Sequence, residues 1–280
     1  MNRLLQAQLL GALAVLPVVA QIPDAHLSPE IATPISSHRH LPFRIHERLY
    51  DGTVTSENWS GYAVTGTNVT DVKGSWIVPA VTCPAATTSP RSARNQGQQN
   101  QYAAFWVGID GYSSNTVEQV GTDSDCASGK PQYYAWFEFY PRPSYLVNNF
   151  PVQPNDRISA EVSYSSSTKL FTVTLVDETT GRSFTTSTSV PSAARSSAEW
   201  IAEAPSSGSS LLTLANFGIV DFGLNYTSVP NTCYATVNGT ANPIGSFGTN
   251  QAITMVTASG ANEAVPGSLY SGANFVISWQ

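Results

Sequence analysis

DRISAEVSYS (residues 156–165) alternates without a break: Ile158, Ala160, Val162 and Tyr164 fall on one side, and Ser159, Glu161 and Ser163 on the other. A period of two is what a strand with one buried and one solvated face requires. KLFTVTLVDE (169–178) follows after a few polar residues and reads as a further short strand. Working outward, NWSGYAVTG, VKGSWIVPA, AAFWVGID, TVEQVG, QYYAWFEFYP, SFTTSTSV, ANFGIVDFG, CYATVN, AITMVTA and NFVISW are further short runs bounded by Gly, Pro, Ser and Asn. Only SAARSSAEWIAEA (192–204) could instead make a few helical turns. A dozen half-buried strands predict an antiparallel β-sandwich folded as a single domain.

The ends of the chain differ from this body. Residues 1–20 carry one Arg near the start, an apolar run from Leu9 to Val19 and small residues at the close, the pattern of a secretory signal peptide cut after Ala20. The run is too short to span a bilayer, and secretion is expected. Residues 21–52 hold all four histidines (His26, His38, His40 and His46) together with Arg39, Arg44 and Arg48. They read as a propeptide rather than a disordered tail, leaving 53–280 as the domain proper. The chain beyond Tyr50 has 16 acidic and 9 basic residues, since the first 50 hold 3 of the 19 acids and 4 of the 13 bases. The basic stretch from His38 to Arg48 can therefore dock on an acidic body and be loosened by salt.

Charged residues make up 11% of the chain, against about 25% in ordinary globular proteins. A surface built on Ser, Thr, Asn and Gln has few ion pairs to lose in acid. The net charge of −6 argues against nucleic-acid and anionic-membrane partners. Sequons at Asn58, Asn68, Asn225 and Asn238 suit an exported glycoprotein. Three cysteines permit one disulfide; Cys83 with Cys126 is the preferred pair because they flank AFWVGIDGYSSNTVEQVGT, which leaves Cys233 over. The polar insertion 84–101, with Arg91 and Arg94, is a candidate for nicking.

Without its leader the body contains no histidine, which excludes Ser-His-Asp and Cys-His catalysis and every His-based metal site. No metal or cofactor is expected. Carboxylates, amides, hydroxyls and aromatics remain, so a hydrolase of this composition needs a carboxyl group as acid and base. Asp123, Asp125 and Asp177 read as solvated strand ends, and Glu161 as outward-facing. Glu138 lies among Tyr134, Trp136 and Tyr140, either in a polar core or on a substrate groove. Glu199 and Glu203 share a face, for which a plain exposed acidic surface is the simpler reading. Gln119 points inward beside Val117, as a core amide would.

NWSGY (58–62), GSWIVP (74–79), FWVGIDG (105–111), VEQVGT (117–122), YYAWFEFYP (133–141) and AEWIAEAP (198–205), in this order, resemble the glutamic peptidases or eqolisins, secreted acid-active endopeptidases. The resemblance covers the body from Asn58 onward. It implies two packed seven-stranded antiparallel sheets and a propeptide that inhibits its own chain. It also implies a monomer acting on polypeptides, indifference to pepstatin, and a dyad of Gln119 and Glu203. A groove lined by Trp106, Asp110, Trp136 and Glu138 would complete the site. Two other functions stay open: a sandwich glycosidase using Glu138 and Glu203, whose carboxyl separation would decide the matter, and a lectin-like module, which would have little need of a propeptide.

Overall fold

The computed structural model describes residues 31–48, 54–85 and 100–280. The signal-peptide segment 1–20, the leader–body boundary near residue 52 and all but the ends of the 84–101 insertion lie outside them.

Two antiparallel sheets of seven strands pack face to face. The first runs, in spatial order, Tyr145–Pro151, Lys130–Tyr140, Val117–Ala127, Ala104–Ile109, Ser197–Glu203, Trp59–Thr65 and Asn250–Val256. The second runs Arg182–Thr188, Leu170–Asp177, Arg157–Ser165, Val69–Ile77, Ile219–Phe222, Phe275–Trp279 and Asn262–Pro266. A hairpin of Tyr234–Val237 and Thr240–Pro243 lies along the N-terminal half of Val69–Ile77. Asn262–Pro266 also pairs with Asn250–Val256, so the sheets are joined at one side. The segment that could have been helical contains the strand Ser197–Glu203, interior to the first sheet and buried along its whole length.

Alternation builds the core. Ile158, Ala160 and Val162 face inward with Phe171, Val173 and Leu175 from the neighbouring strand. Phe105, Val107, Phe137, Trp200 and Trp76 meet them from the rest of the sandwich. At about 25 cal/mol per Å² of apolar surface removed from water, this layer is the main stabilising term. The intervening residues of the first sheet make a second apolar layer on its outer face: Trp59, Trp106, Val117, Trp136, Ile201 and Ile253. That face is covered by residues 31–48. Ala32–Pro34 extends the sheet beyond residues 145–147, and Ile45–Arg48 pairs with Val54–Ser56. Ile35 and Phe43 pack on the tryptophan layer.

Cys83 and Cys126 form the disulfide, and Cys233 is a buried free thiol. Among the described residues no helix is long and apolar enough to cross a membrane. Asn68, Asn225 and Asn238 are exposed, whereas Asn58 is fully buried.

Candidate active site

Three adjacent strands of the first sheet place the site. Gln119 on Val117–Ala127 stands directly opposite Glu138 on Lys130–Tyr140, and Gly108 on Ala104–Ile109 lies on the other side of Gln119. Glu203 closes Ser197–Glu203, opposite Ala104 and Trp59. The parity that puts Phe105, Val120 and Phe137 into the core turns Trp106, Gln119, Trp136 and Glu138 to the outer face. Gly108 is needed there: a Cβ at this position would come 2.9 Å from the Trp106 ring and 3.3 Å from Gln119 Cβ.

The polar groups on this face hold one another. Trp106 Nε1 donates to Glu203 Oε2 at 2.8 Å. Gln119 Nε2 donates to Glu138 Oε2 at 3.2 Å. Glu203, Glu138 and Gln119 are fully buried. Burial pushes the Glu203 carboxyl well up from its ordinary range, and the charge of Glu138 pushes it further, against the hydrogen bonds from Leu41 N–H and Trp106. Burial likewise raises Glu138, opposed by donors from His40 and Gln119 and by the charge of Arg39.

Residues 38–44 thread across these groups. His40 N–H donates to Glu138 Oε2 at 3.3 Å, and the His40 carbonyl accepts from Gln119 Nε2 at 3.3 Å. Leu41 N–H donates to Glu203 Oε1 at 3.0 Å, and the Leu41 carbonyl accepts from Trp59 Nε1 at 3.1 Å. Asn58 Nδ2 donates to the Leu41 and Pro42 carbonyls, while its Oδ1 accepts from Arg44 N–H at 2.8 Å. The His40 ring stacks on Trp136 with centroids 3.5 Å apart and planes 8° apart, and its Nδ1 lies 3.5 Å from Glu203 Oε2.

Upstream, His38 Nε2 meets Asp123 Oδ2 at 3.0 Å. Tyr134 Oη lies 2.9 Å from Asp123 Oδ2 and 2.6 Å from Asp125 Oδ2. Burial first, then the charge of Asp123, raises the Asp125 carboxyl. His38, His40 and Asp123 bring three ligand-type atoms within 4.8 Å of one another, the one such grouping among the described residues. The His38–Asp123 hydrogen bond already accounts for two of the three.

Several expectations are corrected. Asp110 does not line the groove with Trp106, Trp136 and Glu138. Its backbone is left-handed (φ 72°), and its carboxylate accepts from Arg195 N–H at 2.6 Å and Ser196 N–H at 2.8 Å, fastening the turn before Ser197–Glu203. The adjacent Gly111 makes the groove contact instead, its carbonyl accepting from Phe43 N–H at 3.0 Å. Asp123, Asp125 and Asp177 are buried rather than solvated, and Glu199 and Glu203 form no exposed acidic face. Sequence reading missed Trp59 and Asn58 as groove residues. Asn58 had a signal, its place in NWSGY, but one that read equally well as a glycosylation sequon.

Such a chain is an all-β sandwich with a carboxyl and a carboxamide facing each other across an extended peptide. Residues 57–265 match the sequence model of the Peptidase A4 family, and the chain belongs to that family. It is 33% identical to aspergillopepsin-2 of Aspergillus niger over 177 residues, covering 60% of this chain and 62% of the relative. It is 30% identical to scytalidopepsin B of Scytalidium lignicola over 166 residues, 58% of this chain and 56% of that protein. The chain thus spans less than two thirds of the length of these curated relatives. In fold it is similar to scytalido-glutamic peptidase solved with a transition-state analog inhibitor (TM-score 0.64, 22% identity, 80% of this chain and 98% of that one). It is also similar to aspergilloglutamic peptidase from Aspergillus niger (TM-score 0.54, 26% identity, 64% and 99%).

Proposed function

We propose that this chain is the inhibited precursor of a secreted, acid-active glutamic endopeptidase with Glu203 and Gln119 as its dyad. One observation carries the reading: Gln119 Nε2 and Glu203 Oε1 hold the two ends of a single peptide group, the His40 carbonyl and the Leu41 N–H. A peptidase acting through a carboxyl must reach both the carbonyl, where negative charge develops, and the nitrogen, which must leave with a proton.

In this reading Glu203, as carboxylate, takes a proton from a water attacking the carbonyl carbon and passes it to the departing nitrogen. Gln119 donates to the developing oxyanion. Its second N–H is fixed on Glu138, so Glu138 positions the amide, and Trp106 fixes the Glu203 carboxylate in the same way. Acid keeps Glu138 neutral and removes the repulsion that raises Glu203, which leaves Glu203 the member of the pair free to ionise. Residues 31–48 lie where a substrate would and act as an intramolecular inhibitor.

Acid proteolysis of a denatured protein in the presence of pepstatin tests the assignment. Glu203→Gln should abolish cleavage, and Gln119→Ala should reduce it by about 10²- to 10³-fold, the usual loss for one oxyanion donor. Both variants should keep the wild-type circular dichroism spectrum. Near-normal cleavage by either would remove that residue from the dyad.

A further inference from the structure

Every peptide group from Arg39 to Arg44 is gripped by the body, and the grip fixes a register. Arg39 forms an antiparallel bridge with Ser206, its N–H to the Ser206 carbonyl at 2.8 Å and its carbonyl accepting from Ser206 N–H at 2.9 Å. His40 and Leu41 follow over Glu138, Gln119 and Glu203, and Asn58 holds Leu41, Pro42 and Arg44. Within this run the His40–Leu41 bond has the dyad on both of its sides. On either side of residues 49–53, Ile45–Arg48 is paired with Val54–Ser56. Both flanks are thereby committed to a β-ladder, whereas the His40–Leu41 peptide group is the one held by Gln119 and Glu203.

From this register we propose that Glu203 and Gln119 hydrolyse the His40–Leu41 bond of their own chain, and that this internal cut, rather than one at the leader–body boundary, is the first step of activation. The proposal rests on the peptidase reading above. Water oxygen bonds to the His40 carbonyl carbon and the C–N bond breaks. Glu203 takes one water proton and delivers it to the Leu41 nitrogen. The products are a carboxyl group at His40 and an amine at Leu41, with no other reactant consumed. The new His40 carboxyl is created in a buried site beside Glu138 and Glu203, where burial disfavours its ionised form. The upstream piece is then held by the pairing of residues 32–34 with 145–147 and by His38 on Asp123, and it has lost its covalent tie to residues 41–48.

The test is to acidify the purified uncleaved chain and follow its fragments by mass spectrometry over a range of dilutions. Denatured casein is digested in parallel, and the synthetic peptide SSHRHLPF (residues 36–43) is offered to the fully activated protein. The expected first products end at His40 and begin at Leu41, and appear at a rate independent of protein concentration. They should be absent from Glu203→Gln and Leu41→Pro, and the peptide should be cut between its second His and Leu. If casein is digested but the first cut falls elsewhere and the peptide stays intact, this proposal is overturned while the peptidase reading stands. If casein also survives, the peptidase reading falls, and this proposal with it.

Discussion

At the scale of single residues, the site depends on what stands next to the reacting groups as much as on those groups. Gln119 spends one amide hydrogen on Glu138 and the other on a peptide carbonyl, so the carboxyl partner decides which way the amide points. Gly108 leaves the space that the Trp106 ring and Gln119 occupy between them. Gly108→Val would displace Trp106 from Glu203 and shift Gln119, and a misplacement of about 1 Å at such groups can cost on the order of 10²-fold in rate. The variant should therefore lose most of its acid proteolysis while its heat-unfolding transition remains cooperative; unchanged turnover would show that the space is not needed. Gly121 shows how a residue can mislead a sequence reading. Gly121 closes the run TVEQVG, beyond which Asp123 and Asp125 read as solvated strand ends. It is instead a close approach, where a Cβ would lie 2.3 Å from the Phe105 carbonyl oxygen, and the strand runs on to Ala127 with both aspartates buried.

At the scale of elements, the strands that were easiest to recognise were those with one wet face, such as Arg157–Ser165 and Leu170–Asp177. Tyr145–Pro151 escaped recognition because YLVNNFP carries two asparagines, one with a left-handed backbone (φ 58° at Asn149), and a proline, all of which read as loop. The strands of the first sheet were legible, but the purpose of their second apolar face was not, since its cover comes from residues 31–48, which lack any periodicity. The expected electrostatic docking of that segment takes a particular form: among the described residues the His38 and His40 rings approach Asp123 and Glu203, Arg39 acts on Glu138 by its charge, and stacking and backbone hydrogen bonds accompany them. Burial, then the neighbouring His38, holds the His40 imidazole well below its ordinary value. A base with a depressed value in the docked state favours docking above its free value of about 6.5 and opposes it as pH falls below that. The raised values of Glu138 and Glu203 work in the opposite sense, favouring docking as acid protonates them. His40→Phe keeps the ring over Trp136 and removes the titration. In the Glu203→Gln background, which removes the proposed self-cleavage, hydrogen-exchange protection of residues 38–44 should fall less between about pH 7 and 5 when His40 is Phe. An equal fall would exclude His40 protonation as a cause of release.

At the scale of the whole molecule, buried carboxyls set the pH range of the fold. Glu118 and Glu199 are raised by burial and by the nearby charge of Asp110, with Thr116 and Ser197 offsetting only part of the shift. Asp125, Glu138 and Glu203 are raised as well. A carboxyl whose folded value lies above its unfolded one contributes stability that is fully present below about pH 4 and is lost as pH rises through the folded value. The protein should therefore unfold at progressively lower temperature as pH is raised from acid to neutral and above. Glu118→Gln should flatten that dependence; a melting temperature that rises toward neutral pH would contradict the assignment. The sparse charge of the chain foretold tolerance of acid, but not this sensitivity to base, because nothing in the alternation of TVEQVG or AEWIAEAP marks a carboxyl as buried.

The pairing of Ala32–Pro34 with residues 145–147 carries a different consequence. A body separated from those residues would present Tyr145–Pro151 as a bare sheet edge, the kind of surface on which copies of a protein stack into aggregates. Here the edge is spoiled in advance: Asn149 turns the backbone left-handed, and Pro151 offers no amide hydrogen. The features that hid this strand in the sequence would keep the uncovered protein from polymerising.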